Sequence, residues 1–348
     1  MSKPNVVVVG YGFAGRCFHA YLVGLAEGLN LYGVVTSREE ARQQVREDLG
    51  VEVFARFEDA LADPQVDLVV LATPNDVHAP QAIQALEAGK HVVTDKPMCL
   101  SLAEADAMIA ASQRCDRLLS VFQNRRWDGD FLTVGNVLQE GRLGRAFHLS
   151  LAWGQYGQPG SWRGRRAQGG GKFMDLGAHL IDQALQLVPA PVERVYARFF
   201  NQGWDTDVED HAHCVISFAN GVEAYIDTSS LARIPQPRWY VLGTEGALVK
   251  EGVDPQEKAM IAGDIDAARE EPQHRARLAL AKDKDEQILE TVPGRWRSFY
   301  ENIALAVADR SQLAVTPQSV RQVMVVIEAA RQSAARGQAV TPAEVVSS

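Results

Sequence analysis

"NVVVVGYGFAG", residues 5–15, joins four consecutive valines to three glycines in a GxGxxG pattern. A β-branched run without polar interruption reads as a strand buried on both faces. Glycines at its end, followed by a helical pattern, read as a tight turn into a helix N-terminus. Unpaired N–H groups and the helix dipole there favour an anionic pyrophosphate. Gly10, Gly12 and Gly15, with Phe13 and Ala14 between them, are therefore the first candidate contacts of a dinucleotide. The alternative is a glycine turn with a purely structural purpose.

The same rhythm continues outward from this stretch. A predicted helix over Ala20 to Glu27 leads to the strand "LNLYGVV" (29–35) and a helix from Glu39 to Leu49. Then come a strand at Asp67 to Thr73, a helix at Pro80 to Ala88, the strand "KHVVTD" (90–95), a helix at Leu102 to Cys115 and a strand at Arg117 to Phe122. Apolar strands alternating with helices predict a doubly wound α/β domain, a Rossmann parallel sheet covered on both sides. Ligands of such sheets bind beyond the carboxyl ends of the strands, so Gly10, Thr36, Thr73, Asp95 and Gln123 should converge on one crevice. At the end of the second strand, "VVTSREEA" has Thr36, Ser37 and Arg38 where an acid would hold a ribose 2′-hydroxyl. Hydroxyls and a forked guanidinium suit a 2′-phosphate, which favours NADP(H) over NAD(H). Ser37 capping the following helix is the alternative.

After about Asn124 the texture changes. Tryptophans and glycines become frequent, and shorter alternating runs predict antiparallel strands with hairpin turns at Ala219 to Gly221 and Thr244 to Gly246. The expected organisation is a dinucleotide-binding domain over 1–123. An α+β domain over 124–348 follows, with an open, mainly antiparallel sheet for substrate binding and oligomerisation. Helices at Trp296 to Ala308 and Pro317 to Arg336 close the chain, and their apolar stripes make packing back on the first domain an expectation. The charged stretch from Asp264 to Glu290 reads as a solvated helix and loop. A length of 348 residues suits two cores. Hydrophobic residues at 46% and charged residues at 23% fall outside disordered composition. The net charge of -9 opposes binding to nucleic acid or anionic membranes. Four cysteines without a CxxC pair suit a reducing, cytoplasmic setting, and no apolar run is long enough to cross a bilayer.

Two segments carry candidate chemistry. In "TDKP", Lys96 stands between Asp95 and Pro97 at the carboxyl edge of the predicted sheet, where an ammonium can hold a substrate hydroxyl and proline fixes the backbone. A surface lysine paired with Asp95 is the plainer alternative. In "GGGKFMDLGAHLID" (169–182), Asp175, His179 and Asp182 recur at i, i+4 and i+7 and share a helical face. His179 is the natural base, with a carboxylate one turn away to orient it. Asp210, His211 and His213 offer metal-type ligands, but strand alternation groups just the two histidines, so no metal is expected. Arg163, Arg165, Arg166 and Lys172 form a basic loop, either solvated or attractive to an anionic sugar. Trp153 and Trp162 either stack on a sugar ring or belong to the core.

In combination, "GYGFAG", "ATPNDVH" (72–78), "TDKP", "NRRWDGDF" (124–131) and "GGGKFMDLGAHLID" resemble the Gfo/Idh/MocA family of glucose-fructose oxidoreductases and inositol dehydrogenases. The Asp-Lys-Pro variant of the family's Glu-Lys-Pro, with "VVTSR" and "GVDPQE", looks like its NADP-preferring scyllo-inositol dehydrogenase branch. The resemblance implies that Lys96 is the essential lysine and that Asp175 and His179 form the DxxxH pair. It implies further that Thr73, Pro74, Asn75 and His78 flank the cofactor, with Asn124 and Arg125 facing nicotinamide and substrate. The implied reaction oxidises a secondary hydroxyl of a sugar or cyclic polyol to a ketone. Family alternatives are a redox-type glycosidase with recycled cofactor and a non-catalytic dinucleotide sensor. A homodimer or homotetramer through the second domain's sheet is expected.

Overall fold

The computed structural model describes residues 3–347. Residues up to Asn124 together with Trp296–Arg321 form one compact unit, and Arg125–Arg295 together with the residues from Gln322 onward form another.

The first unit is built on six strands, β1 (Asn5–Val9), β2 (Asn30–Val35), β3 (Glu52–Phe54), β4 (Leu68–Leu71), β5 (His91–Thr94) and β6 (Leu119–Val121). All pairings are parallel, in the order β3-β2-β1-β4-β5-β6. The order reverses between β1 and β4, which opens a crevice at their carboxyl ends. Val6, Val7 and Val8 have no accessible surface, and burying each stabilises the sheet by about 1.5–3 kcal/mol. The first helix starts earlier than predicted, as a π-helical turn at Gly15–Ala20, and ends at Leu25. Ser37 does not cap the next helix: Arg38 holds that position, without a side-chain cap. β3 and the helix Phe57–Ala62 escaped the sequence reading because a three-residue edge strand has too little pattern to register. The helix Arg297–Val307 belongs to this unit, where Tyr300 and Phe299 pack on Phe122 with ring centroids 5.8 and 5.1 Å away.

The second unit holds β7 (Ala146–Gly154), β8 (Val192–Phe200), β9 (His211–Phe218), β10 (Glu223–Ser229), β11 (Trp239–Gly243), β12 (Gly246–Lys250), β13 (Ala276–Leu280) and β14 (Gln287–Leu289). Their order is β14-β13-β12-β11-β7-β10-β9-β8. The two expected hairpins are present, β9 to β10 and β11 to β12. One pair, β7 with β10, is parallel, and parallel neighbours require a crossover. That connection contains the helix Ala178–Leu187, which packs on both strands and carries His179. The opposite sheet face presents His148, Tyr225 and Tyr240 to the surface.

The stretch Asp264 to Glu290 departs from the expected solvated helix and loop. It contains two short 3-10 turns followed by β13 and β14, whose alternate residues Ala276 and Leu278 are buried and Arg277 exposed. Its charge masked a strand period. Asp210 turns away from the histidines and accepts N–H groups of Gln202 and Gly203, both at 2.6 Å. No cluster of metal-ligating side chains and no helix long and apolar enough to cross a membrane occurs among the described residues.

Candidate functional site

In the first unit the carboxyl ends of the strands bring Gly10, Thr36, Thr73, Asp95 and Gln123 to one edge of the sheet. The three glycines of the turn are held to different demands. A Cβ on Gly10, whose φ is +94°, would stand 2.6 Å from the Ala72 carbonyl oxygen, and one on Gly15 would stand 1.9 Å from that of Gly10. The protein's own packing therefore requires both. A Cβ on Gly12 would meet nothing within 4 Å. Bare backbone facing open space at the start of a helix is what a pyrophosphate needs to approach closely, so the residues present fit a dinucleotide. Phe13 is 49% exposed beside it and Ala14 half-buried.

Arg38 and Ser37 are exposed, while Thr36 is buried. The Arg38 guanidinium donates to the Tyr11 carbonyl at 2.9 Å, which lays this cation over the glycine turn. Arg42 donates to the Thr36 and Ser37 carbonyls at 3.2 and 2.7 Å and stiffens the strand end. Past β4, the Thr73 hydroxyl donates to Gln81 at 2.7 Å, and Pro74 leads into the turn Asn75–Val77. His78 has no accessible surface; its ring nitrogens each lie 3.0 Å from a carbonyl oxygen, of Pro97 and Thr73. Burial lowers its pKa below the usual value, so the ring is neutral and donates to one carbonyl at a time. His78 thus ties the Thr73 loop to the lysine corner without reaching the surface.

At that corner Asp95 ends β5, its Oδ1 accepts the Lys96 N–H at 2.7 Å, and the Lys96–Pro97 peptide is cis. Burial pushes the Asp95 pKa up, but the neighbouring His19 and the Lys96 charge more than offset this and hold it below the usual carboxylate value. His19 lies on the π-helical turn, fully buried, with Nε2 3.4 Å from Asp95 Oδ2 and Nδ1 2.6 Å from the Tyr300 hydroxyl.

In the second unit Arg125, Trp162 and Asp175 each lie against a charged side chain. The segment "GGGKFMDLGAHLID" forms a π-helical turn, Phe173–Gly177, that runs into the helix Ala178–Leu187, so Asp175 precedes the α-helical face that was expected to carry it. Half-buried Glu209 accepts the Phe173 N–H at 2.8 Å and occupies the space where a Cβ on Gly171 would lie, 2.3 Å from its Oε1. With φ at +107°, Gly171 is the residue that lets a carboxylate dock there. His179 is buried, and Asp175 is half-buried with its Oδ2 3.6 Å from Arg163. Asp182 is committed elsewhere, to a buried two-pronged pair with Arg126 at 2.6 and 2.8 Å. Arg125 is buried against Asp128 (3.4 Å) and Glu257 (2.5 Å), with its guanidinium 4.3 Å from the Trp153 ring centroid. Trp162 lies under Arg163 at 4.5 Å. In the basic loop the exposed Arg166 donates to Asp207, whereas Lys172 is buried and is not part of a solvated patch.

Residues 4–123 match the model of an oxidoreductase family with an NAD-binding Rossmann fold, and residues 131–249 match that of the GFO/IDH/MocA C-terminal domain. The chain belongs to the Gfo/Idh/MocA family of oxidoreductases. Among similar family proteins, the NADP(+)-linked scyllo-inositol 2-dehydrogenase IolW of Bacillus subtilis is 30% identical, over 94% of this chain and 93% of its own. The Escherichia coli oxidoreductase YdgJ is 34% identical over 95% and 96%. A structure of YvaA from Bacillus subtilis superposes with a TM-score of 0.91 at 29% identity, covering 97% of this chain and 98% of its own. Within this Gfo/Idh/MocA chain, the sequence reading missed His19, Tyr300, Glu209 and the use of Arg126. His19 lies in the stretch "YGFAGRCFHA" (11–20), and an apolar-flanked histidine behind a glycine turn was the available signal.

Proposed function

We propose that this protein is an NADP-preferring dehydrogenase that reversibly oxidises a secondary hydroxyl of a sugar or inositol-like polyol to a ketone. The observation that carries the reading is the glycine turn, packed tight at Gly10 and Gly15 and left open at Gly12, at the same sheet edge as Lys96. Gly10, Gly12, Gly15 and the backbone of Phe13 and Ala14 hold the pyrophosphate; Ser37 and Arg38 meet the 2′-phosphate, with Thr36 beneath them. When bound, the dinucleotide supplies a hydride acceptor. Lys96 donates to the substrate oxygen and stabilises the negative charge that grows there as the O–H proton leaves. His179 receives that proton, and Asp175 orients His179 or holds a neighbouring hydroxyl. Asn124, Arg125 and Trp162 bound the nicotinamide and substrate. The relatives named for scyllo-inositol and, in Thermotoga maritima, myo-inositol dehydrogenase activity support a polyol substrate.

The second unit's open face, bearing His148, Tyr225 and Tyr240, supports assembly as a homodimer or homotetramer. The function is tested by Lys96→Met. Turnover is expected to fall by about a hundredfold or more, with NADPH affinity kept within a few-fold. Unchanged turnover removes the lysine from the reaction.

A further inference from the structure

We propose that His19 and Tyr300 are positioning residues that act on Lys96 through Asp95. The proposal rests on the reading of Lys96 as the group that holds the substrate oxygen. The three side chains form a directed chain inside the first unit. Tyr300 and His19 have no accessible surface, and His19 sits between the Tyr300 hydroxyl at 2.6 Å and Asp95 Oδ2 at 3.4 Å. The other Asp95 oxygen, at 2.7 Å, accepts the backbone N–H of Lys96 itself. The carboxylate thereby faces a buried imidazole nitrogen 3.4 Å behind it and is held in front by the lysine's own main chain.

The direction of the hydrogen bonds follows from the charges. Burial and the neighbouring Asp95 raise the Tyr300 pKa well above its usual value, so the phenol keeps its proton. Asp95 remains a carboxylate and accepts. An Nδ1–H tautomer of His19 would aim the Nε2 lone pair at that carboxylate. The consistent arrangement has Tyr300 O–H donating to His19 Nδ1 and His19 Nε2–H directed at Asp95 Oδ2. Phe122, with its ring centroid 4.5 Å from that of His19, holds the imidazole plane. The turn that carries His19 is the one that begins at Gly15, so the glycine turn and the lysine corner are joined by one buried side chain.

The test pairs a spectroscopic reading with a kinetic one on the full-length protein. Long-range proton–nitrogen spectra of protein carrying 15N-histidine, with the His19 signal assigned by its loss in His19→Gln, are expected to show the Nε2–H tautomer. An Nδ1–H tautomer overturns the network. Tyr300→Phe keeps the ring in its place against Phe122 and Phe299 while removing the donor, and His19→Leu removes both ring nitrogens. With scyllo-inositol and NADP, both are expected to lower kcat at least tenfold while NADPH affinity, followed by fluorescence, stays within twofold. His19→Gln, whose amide N–H replaces Nε2–H, is expected to recover part of that loss. A drop in thermal stability and NADPH affinity with kcat retained, or no recovery in His19→Gln, would mean a purely structural role and overturn the proposal. If the wild type turns over no polyol, the reading of Lys96 fails and the kinetic half of the proposal with it. The tautomer then decides the network separately.

Discussion

The two units hold their candidate residues by different means. In the first, the positions are set by main chain: strand ends, a glycine turn and carbonyls that receive Arg38, Arg42 and His78. In the second they are set by carboxylates: Asp182 on Arg126 and Asp128 on Arg125, both pairs buried, with Glu257 also on Arg125 and half-buried Glu209 at the start of the His179 segment. A site held by backbone tolerates side-chain exchange but no added atom where the turn is packed, at Gly10 and Gly15. One held by buried ion pairs tolerates neither loss nor neutralisation of a partner.

The contrast can be broken most directly at the glycine turn. Gly15→Ala is expected to abolish NADPH binding and destabilise the first unit, because its Cβ overlaps the Gly10 carbonyl. Gly12→Ala is expected to leave the melting temperature near that of the wild type while weakening NADPH binding, since its methyl enters open space. Equal effects of the two substitutions on stability would refute the distinction. Next in size is Asp182→Ala, which removes the two-pronged acceptor of the buried Arg126 guanidinium. Denaturant unfolding is expected to register a loss of about 3–5 kcal/mol. A loss below about 1 kcal/mol would show that water or another acid replaces the pair.

The smallest effect concerns acid. In the first unit, burial lowers the pKa of His78 and His91, and that of Asp95 is also lowered by His19 and Lys96 despite burial. Each binds protons more readily when unfolded, so each contributes stability that is present above its unfolded pKa and lost as pH falls through the folded value. For the histidines this loss begins near the ordinary value of 6.5. In the second unit, burial raises Glu209 and Asp254, whose contribution has the opposite sign and grows as pH falls, while burial lowers His148 and His213. Hydrogen exchange on acidification from neutral pH is expected to accelerate first in the first unit. Earlier acceleration in the second would reverse the assignment.

The same contrast explains what could be read from the sequence. β1 was legible because a strand buried on both faces is apolar at every position, as Val6 to Val9 are, and because GxGxxG marks its end. β13 and β14 were not, since they are short, five and three residues, and the charged run Lys282 to Glu286 between them hides the strand period. Lys96 and His179 lie in local motifs and could be singled out. Their supports could not, because Arg126 meets Asp182 across 56 residues of chain and His19 meets Tyr300 across 281, separations to which no local period points. Ion pairs and relays of this kind are properties of the folded chain.

The proposed reaction of this Gfo/Idh/MocA protein is hydride transfer from a polyol hydroxyl to NADP. The most direct test follows the absorbance of reduced nicotinamide after mixing the protein with NADP, and separately with NAD, over a panel of inositols, aldoses and sugar acids. Reduction with one substrate group, faster with NADP than with NAD and lost in Lys96→Met, is the expected result. Tight NADPH binding with no net reduction on any substrate would contradict the claim and favour a recycling glycosidase or a dinucleotide sensor on the same fold.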